Sequence, residues 1–395
     1  MDIIDIAKKI EQNNGRLYFV GGYVRDLLLG TPSHDIDFCV TGLNEDTFLK
    51  LFPNAIKTGA SFPVFRIDSF EFAFARKEQK TSAGHNGFTM DTNNITIFDD
   101  LVRRDITINS IAMDVLTNEI IDPTGGQKDL KEKIIRANSE HFSEDALRSY
   151  RVARFASKLQ FNVDESTIKL MHSTKNELPL LSSERVFEEL KKALLTPTPS
   201  IFFNVLRKAD ILDVHFKEIY DLIDVPQPLI YHPEGDVYNH SMIVLDECSK
   251  ITDDALIKFA ALTHDLGKAL TPKEILPHHY GHDEVGCVPV KNLCNRLKVP
   301  NEWEKTAIVV SREHMKAGIW NDMSVSKKVS FMEKNYKYLK VLNIIAKIDS
   351  GKNDIDFVSI ADKMMHEVNG EKIDLPNDIR AKEILHQKRI EWLKK

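Results

Sequence analysis

Leu17-Tyr18-Phe19-Val20 runs into Gly21-Gly22 and then Tyr23-Val24-Arg25-Asp26-Leu27-Leu28-Leu29-Gly30, which reads as a strand, a glycine turn and a short helix closed by a glycine. Such a turn presents backbone N–H groups to an anion, lets a phosphate approach closely, and has Arg25 as a fixed cation in the helix that follows. The next apolar run is His34-Asp35-Ile36-Asp37-Phe38-Cys39-Val40. Ile36, Phe38 and Val40 share one face of a strand, so Asp35 and Asp37 share the other. Two carboxylates side by side repel unless both are solvated on an edge strand or a cation lies between them, and hard oxygen donors of this kind suit Mg²⁺.

Beyond this stretch, Pro63 to Ile67, Phe70 to Ala75 and Ile111 to Val115 are further short apolar or alternating runs bounded by Gly, Asn and Asp, and predict strands. In Ser69-Phe70-Glu71-Phe72-Ala73-Phe74, Glu71 points away from the phenylalanine stripe, either as a solvated residue or as a third carboxylate. From about residue 141 the strand signals stop, and Asp145 to Leu159, Ser183 to Leu194 and Ala255 to Leu262 repeat apolar residues at helical spacing. The fold class is therefore α+β: a mixed-sheet head followed by an all-helical body. The prolines of Val225-Pro226-Gln227-Pro228 and His232-Pro233 interrupt the helical pattern. The expected division is a head over 1–140, a helical neck over 141–225, a second domain over 226–355 and a helical tail over 356–395.

Composition narrows the class. The chain has 395 residues, 42% hydrophobic and 28% charged, which excludes a disordered or collagen-like chain. Its 53 basic and 59 acidic residues leave a net charge of −6, so a nucleic-acid partner would be held by local basic patches. Cys39, Cys248, Cys287 and Cys294 form no CxxC pair, and reduced buried thiols are expected. Met1 to Glu11 lacks a signal-peptide pattern and no apolar run approaches the ~18 residues of a membrane span. The expectation is a cytoplasmic protein, monomeric or weakly homo-oligomeric, with no membrane partner.

Two further stretches carry chemistry. Asp99-Asp100-Leu101-Val102-Arg103-Arg104-Asp105 sets two arginines between acids, a pattern suited to clamping a triphosphate. Farther on, seven of the 14 histidines (His232, His240, His264, His278, His279, His282 and His314) fall within about a fifth of the chain. A His-Asp doublet, His264-Asp265, ends the apolar run from Phe259, and burying it without a partner is costly, whereas imidazole plus carboxylate suits a divalent transition metal. His278-His279-Tyr280-Gly281-His282 and His314 stay open between this cluster and, respectively, a polar loop and an ordinary surface histidine.

Gly21-Gly22-x-x-Arg25-Asp26, Asp35-x-Asp37, Arg103-Arg104-Asp105 and Asn109 together resemble the head of tRNA nucleotidyltransferases and bacterial poly(A) polymerases. The resemblance implies a five-stranded-type head in which Asp35 and Asp37 hold two Mg²⁺ ions and act in catalysis, while Gly22, Arg25 and Arg104 bind the incoming nucleotide. Glu144-Asp145-x-x-Arg148 followed by Arg151 and Arg154 resembles the base-templating helix of class II CCA-adding enzymes, which implies nucleotide contacts for all five. Asp145 and Arg148, three apart on a predicted helix, form either a plain surface ion pair or a protein template. Cytosine and adenine both place an amino donor beside a ring-nitrogen acceptor, which a carboxylate and a guanidinium can pair with, whereas uracil and guanine reverse that order. CTP, ATP and the tRNA 3′ end are then the expected partners.

The His240, His264-Asp265 pattern resembles HD phosphohydrolases, which implies these three as metal ligands, His264 and Asp265 as catalytic, and Asp349 as a fourth ligand, with a transition metal such as Ni²⁺. Leu276 to His282 and Leu293 to Glu302 extend the resemblance to bacterial proteins that join CCA addition to phosphatase, 2′-nucleotidase and 2′,3′-cyclic phosphodiesterase activities. Met315 departs from that pattern, in which an acid tends to follow the histidine. The alternatives are a poly(A) polymerase and an RNA-binding HD phosphohydrolase with an inactive head.

Overall fold

The computed structural model describes residues 2–31, 36–58, 63–80, 88–91, 95–352, 354–370, 373 and 380–395. It forms two compact units, one of residues 1–189 with 201–211 and the other of residues 190–200 with 212–395.

The first unit is built on strands β1 (Arg16–Val20), β2 (Asp37–Thr41), β3 (Ile56–Thr58), β4 (Val64–Ile67), β5 (Phe70–Phe74), β6 (Lys77–Lys80), β7 (Phe88–Asp91), β8 (Ala112–Asp114) and β9 (Ile120–Ile121). Seven of them make one sheet in the order β3-β4-β5-β2-β1-β8-β9, mixed because β2 and β5 run parallel while the other neighbours are antiparallel. The expected five-strand frame is thus widened by β3 and β9, short strands with no apolar alternation to announce them.

Helices α1 (Ile3–Glu11) and α3 (Glu45–Leu51) contribute Ile6, Ile10 and Phe48 to the core on one face of the sheet, where Phe38, Val40, Phe65, Phe72 and Phe74 are buried. Phe38 lies opposite Phe72 in register and stacks on it at 5.2 Å. Truncating such a ring costs about 3–5 kcal/mol. Helix α2 (Gly22–Leu28) follows β1 directly. The other core, with Tyr18, Val20, Cys39 and Ala112, packs on Ile97 and Leu101 of α4 (Ile97–Val102), which starts with a Thr96–Asp99 capping box. The strand period therefore turns Asp37 and Cys39 toward α4.

Helix α5 (Gly126–Glu132) and then α6 (Leu147–Leu159) follow. One strand interrupts the region expected to be all-helical: Asn162–Val163 pairs in parallel with Ile134–Ile135. The four cysteines are free and buried.

The second unit is helical among its described residues. Helices Val237–Ile251, Ala255–Thr263, Asn301–Gly318 and Leu339–Ser350 share one core, with Val244, Ile257, Val310 and Ile345 among its buried members. The tail joins it through Phe357, Ala361 and Met364 of Phe357–Glu367 and Ile390 of Arg380–Leu393. No helix among the described residues is long and apolar enough to cross a membrane.

Candidate active sites

A cavity of about 590 Å³ opens in the first unit, lined by Gly21, Gly22, Arg25, Asp37, Glu71, Arg104, Asp145, Arg148 and Arg151, among others. The turn after β1 makes it possible. Gly21 has φ +68°, a backbone conformation side chains resist, and a Cβ there would lie 3.1 Å from Arg104 Nη1. Asp37 at the start of β2 is in register with Glu71 on the parallel β5, so two carboxylates stand side by side on the wall that faces α4. This cross-strand pairing is invisible in local sequence. Asp35 lies outside the described residues.

Each arginine is oriented by a group of its own. Arg25 is buried, donating from Nη1 to Asn109 Oδ1 at 2.6 Å and from Nε to Asp26 Oδ1 at 2.7 Å. Arg104 donates twice to Asp100 Oδ2, at 2.9 and 3.1 Å, and Arg103 reaches Asp100 Oδ1. Arg151 donates to Asp105 Oδ2 at 2.7 Å, and Arg148 to the Arg103 carbonyl at 2.8 Å. The guanidinium groups of Arg25, Arg151 and Arg154 lie 5.4, 5.6 and 4.2 Å from the Phe155 ring centre. Glu144, which ends a 3-10 turn at Glu140–Glu144, and Arg154, which donates to Glu189, are not on the cavity wall.

The templating segment departs from the expected helix. Helix α6 starts at Leu147 rather than Asp145, and Asp145 is extended (φ −121°, ψ 102°). Asp145 therefore does not share a helix face with Arg148. Its Oδ1 accepts from Leu147 N at 3.1 Å, a partner for an amide that the first helical turn leaves unpaired, and its Oδ2 pairs with Arg185 at 3.3 Å. Asp145 and Arg148 still line one cavity.

Asp100, Asp105 and Glu189 were missed as site residues. Asp100 and Asp105 sit inside the arginine-rich stretch, where alternating charge was the available signal, whereas Glu189 comes from Ser183–Leu194 and has none. Burial would raise the Asp100 carboxyl, but Arg104 and Arg103 outweigh it and hold it at about 2; Asp105 is held at about 2 against burial by Arg151 and Arg148. A depressed carboxyl stabilises the fold fully above its unfolded pKa near 3.8, and the contribution fades as pH falls toward 2. Asp100→Asn is therefore expected to lower stability by about 2 kcal/mol at pH 7, with the gap to the parent closing as pH drops from 4 to 2. Denaturant unfolding across that range measures it, and a gap independent of pH would refute it.

In the second unit, each of four helices delivers one side chain to a common point. His240 comes from Val237–Ile251, His264 from the end of Ala255–Thr263, His314 from Asn301–Gly318 and Asp349 from Leu339–Ser350. His240, His264, Asp265 and Asp349 offer ligand atoms all within 4.8 Å of one another. His240 Nε2 is 2.9 Å from Asp349 Oδ1, and His264 Nε2 is 3.2 Å from Asp265 Oδ2. His240 Nδ1 donates to Glu234 Oε1 at 2.6 Å, and His264 Nδ1 to the Ala261 carbonyl at 2.7 Å, so both rings turn Nε2 inward.

Burial opposes charge on His264, but Asp265 and Asp349 outweigh it and raise its pKa to about 10. Asp265 is held well below the carboxylate range against burial, chiefly by His264 and Lys268, whose Nζ lies 2.6 Å from Oδ2. His264 Nε2 and Asp265 Oδ1 are buried without a well-formed hydrogen bond, while Asp265 Oδ2 is ion-paired with Lys268. Unsatisfied nitrogen and oxygen donors around one point fit a divalent metal. The fold closes tightly there: a Cβ on Gly267 would fall 2.0 Å from the His282 carbonyl, and one on Gly286 would fall 2.5 Å from Ser311 Oγ.

His282 and His314, left open by the sequence, are both buried, 6% and 2% exposed. A signal for His314 was present: Ala307, Val310, Ser311, His314 and Ala317 form the buried stripe of their helix at helical spacing.

The chain matches three families: the Poly A polymerase head domain over residues 17–136, the probable RNA and SrmB-binding site of polymerase A over 160–222, and the HD domain over 237–351. Two solved CCA-adding enzymes, one with ATP and the other from Thermotoga maritima with tRNA, superpose with TM-scores of 0.68 each. Both cover 100% of this chain and 92% of their own, at 20% and 19% identity, a likeness of fold. The multifunctional CCA protein of Shewanella denitrificans is 43% identical over 327 residues, 81% of this chain and 78% of the relative. Identity of that depth over four fifths of the chain makes it a member of the multifunctional CCA protein family.

Proposed function

We infer that this chain adds and repairs the 3′-terminal CCA of tRNA from CTP and ATP, releasing pyrophosphate without a nucleic-acid template. The second unit, on the same reading, hydrolyses phosphate esters as a phosphatase, 2′-nucleotidase and 2′,3′-cyclic phosphodiesterase. We propose the division into head (1–140), neck (141–225), HD domain (226–355) and tail (356–395). The observation that carries the reading is one cavity holding carboxylates on its strand side and arginines on its helix side, in a chain of this family.

In the head, Asp37 would hold Mg²⁺ together with Asp35, and Glu71, in register with Asp37, is the neighbouring carboxylate. Bound there, divalent ions lower the pKa of the RNA 3′-hydroxyl and neutralise the triphosphate and the leaving pyrophosphate. Gly22, Arg25 and Arg104 receive the triphosphate: the glycine permits close approach, and the arginines offer donors already oriented by Asn109 and Asp100. Asp145 accepts from the exocyclic amine of cytosine or adenine and Arg148 donates to the ring nitrogen, with Arg151 completing the nucleotide contacts; Arg154, off the cavity wall, holds Phe155 and Glu189 behind them, and Glu144 takes no part in the contact. A purine or pyrimidine with the reversed pattern leaves these charged groups unpaired. In the HD domain, His240, His264, Asp265 and Asp349 would hold a transition metal, Ni²⁺ among the candidates.

The test is incubation with Mg²⁺, tRNA lacking CCA, and each labelled NTP alone and combined, reading product length on a gel. Growth by a single CCA that needs both CTP and ATP supports the reading. A long ladder with ATP alone would make the chain a poly(A) polymerase, and no extension would leave the HD site as its chemistry. Asp145→Ala is expected to raise misincorporation of UTP by about 10- to 100-fold with less effect on overall rate. Unchanged selectivity in single-turnover competition would overturn the template argument.

A further inference from the structure

We propose that two loop tips beside the histidine–aspartate cluster, Leu229, Ile230 and Tyr231 on one and His278 and Tyr280 on the other, form a stacking platform for the terminal nucleobase of the phosphate ester hydrolysed there, with Tyr280 as the stacking ring. The proposal rests on the reading that the cluster hydrolyses 2′-phosphates and 2′,3′-cyclic phosphates, and it assigns the part of the substrate that the cluster itself does not hold.

Exposure singles these residues out. Ile230, Tyr280, Tyr231 and Leu229 are 83, 79, 77 and 69% exposed, and no other large apolar side chain among the described residues exceeds 64%. Four such side chains on two loops of one site are more than the scatter of single apolar residues that any surface carries. The first loop is closed by its own backbone: Gln227 N donates to the Gly235 carbonyl at 3.2 Å, Val237 N to that of Val225 at 3.0 Å, and Tyr231 N and His232 N both to that of Pro228 at 3.0 Å. The main chain thus holds an apolar tip out in water, an arrangement that folding alone does not favour.

The two loops are tied to each other and to the cluster. His279 Nε2 donates to the Pro226 carbonyl at 3.0 Å, and its Nδ1 accepts from Thr271 Oγ1 at 2.7 Å. Lys268 Nζ joins Gln227 Oε1 at 2.7 Å to Asp265 Oδ2 at 2.6 Å, the His232 ring meets that of His240 edge-on at 4.6 Å, and His282 Nδ1 donates to the His279 carbonyl at 2.6 Å. A phosphate at the cluster therefore leaves the nucleoside attached to it beside these loops. The His278 ring lies within 18° of the Tyr280 plane with centres 5.7 Å apart, so Tyr280 is half of a stack already and is preorganised for a further flat ring. Every nucleobase has a π face, so such a platform accepts any base, and stacking on one aromatic side chain strengthens binding by about 5- to 100-fold.

The experiment uses the full chain and two substrates, adenosine 2′,3′-cyclic phosphate and the 2′,3′-cyclic phosphate of 1-O-methyl riboside, which lacks the base. Tyr280→Ala is expected to lower kcat/KM for the adenosine substrate by about 5- to 100-fold, mainly through KM, and to change the base-free substrate by less than about two-fold; Tyr280→Phe is expected to keep the parent value on both. The side chain is exposed, so neither variant disturbs the core. Equal effects on both substrates, or none on either, would overturn the platform and leave the hydrolytic reading standing. Hydrolysis of neither substrate by the parent would overturn the hydrolytic reading itself. Loss of a parent dimer in sedimentation equilibrium, with kinetics unchanged, would make the tips a contact between copies of this chain instead.

Discussion

Asp37→Ala is expected to reduce addition of both CTP and ATP by about 10³-fold or more, because it removes a charged donor from the only wall of the cavity on which described carboxylates stand in register. Asp37 is exposed and at the start of its strand, so the loss should not be a loss of fold. Hydrolysis of a 2′,3′-cyclic phosphate should persist within about two-fold, since every donor proposed for that reaction belongs to the other unit. Side-by-side assays of one preparation check both halves. Retained addition would remove Asp37 from the mechanism, and joint loss would remove the independence of the two sites.

The second large effect concerns Asp265. Asp265→Asn keeps the shape of the side chain but removes the charge facing His264, His282, His314 and Lys268. Phosphatase and cyclic-phosphate hydrolysis should fall by about 10³-fold or more, and metal affinity with them, while CCA addition continues. Taking one partner from a buried charge cluster also destabilises by about 3–5 kcal/mol. His264→Ala tests the same chemistry by removing a nitrogen ligand instead. Metal content and steady-state hydrolysis measured together distinguish loss of the ion from loss of the fold, and an Asp265→Asn chain that hydrolyses at the parent rate would refute the assignment.

Alternation was enough to read β2: Phe38 and Val40 against Asp37 and Cys39 is a period of two, and the structure buries the aromatic face and turns the other toward α4. His240, His264 and Asp265 were legible because a charged doublet inside an apolar run has few cheap explanations. What escaped was set by contacts between distant segments. Glu189 reaches Arg154 across 35 positions, and Glu71, open in the sequence between solvent and a third carboxylate, gains its place only from register with Asp37. Asp145 and Arg148 were paired by counting helical spacing, but Asp145 lies ahead of the helix, where its carboxylate accepts from a free amide. His282 stood open between the histidine cluster and a polar loop, and only the packing around the helix His282–Val285 shows that it is buried.

Gly267 and Gly286 give the histidine cluster an unusual mutational signature. Main chain meets main chain at Gly267 and the Ser311 side chain closes on Gly286, so the spacing of the Asp265 loop, the helix His282–Val285 and the helix of Ser311 is held by the absence of two methyl groups. The smallest possible change, glycine to alanine, would wedge these segments apart without altering any metal-binding atom. Sequence drift that preserves every histidine and aspartate could thus silence the hydrolytic half of a descendant protein, and an inventory of its ligands would still count it as intact.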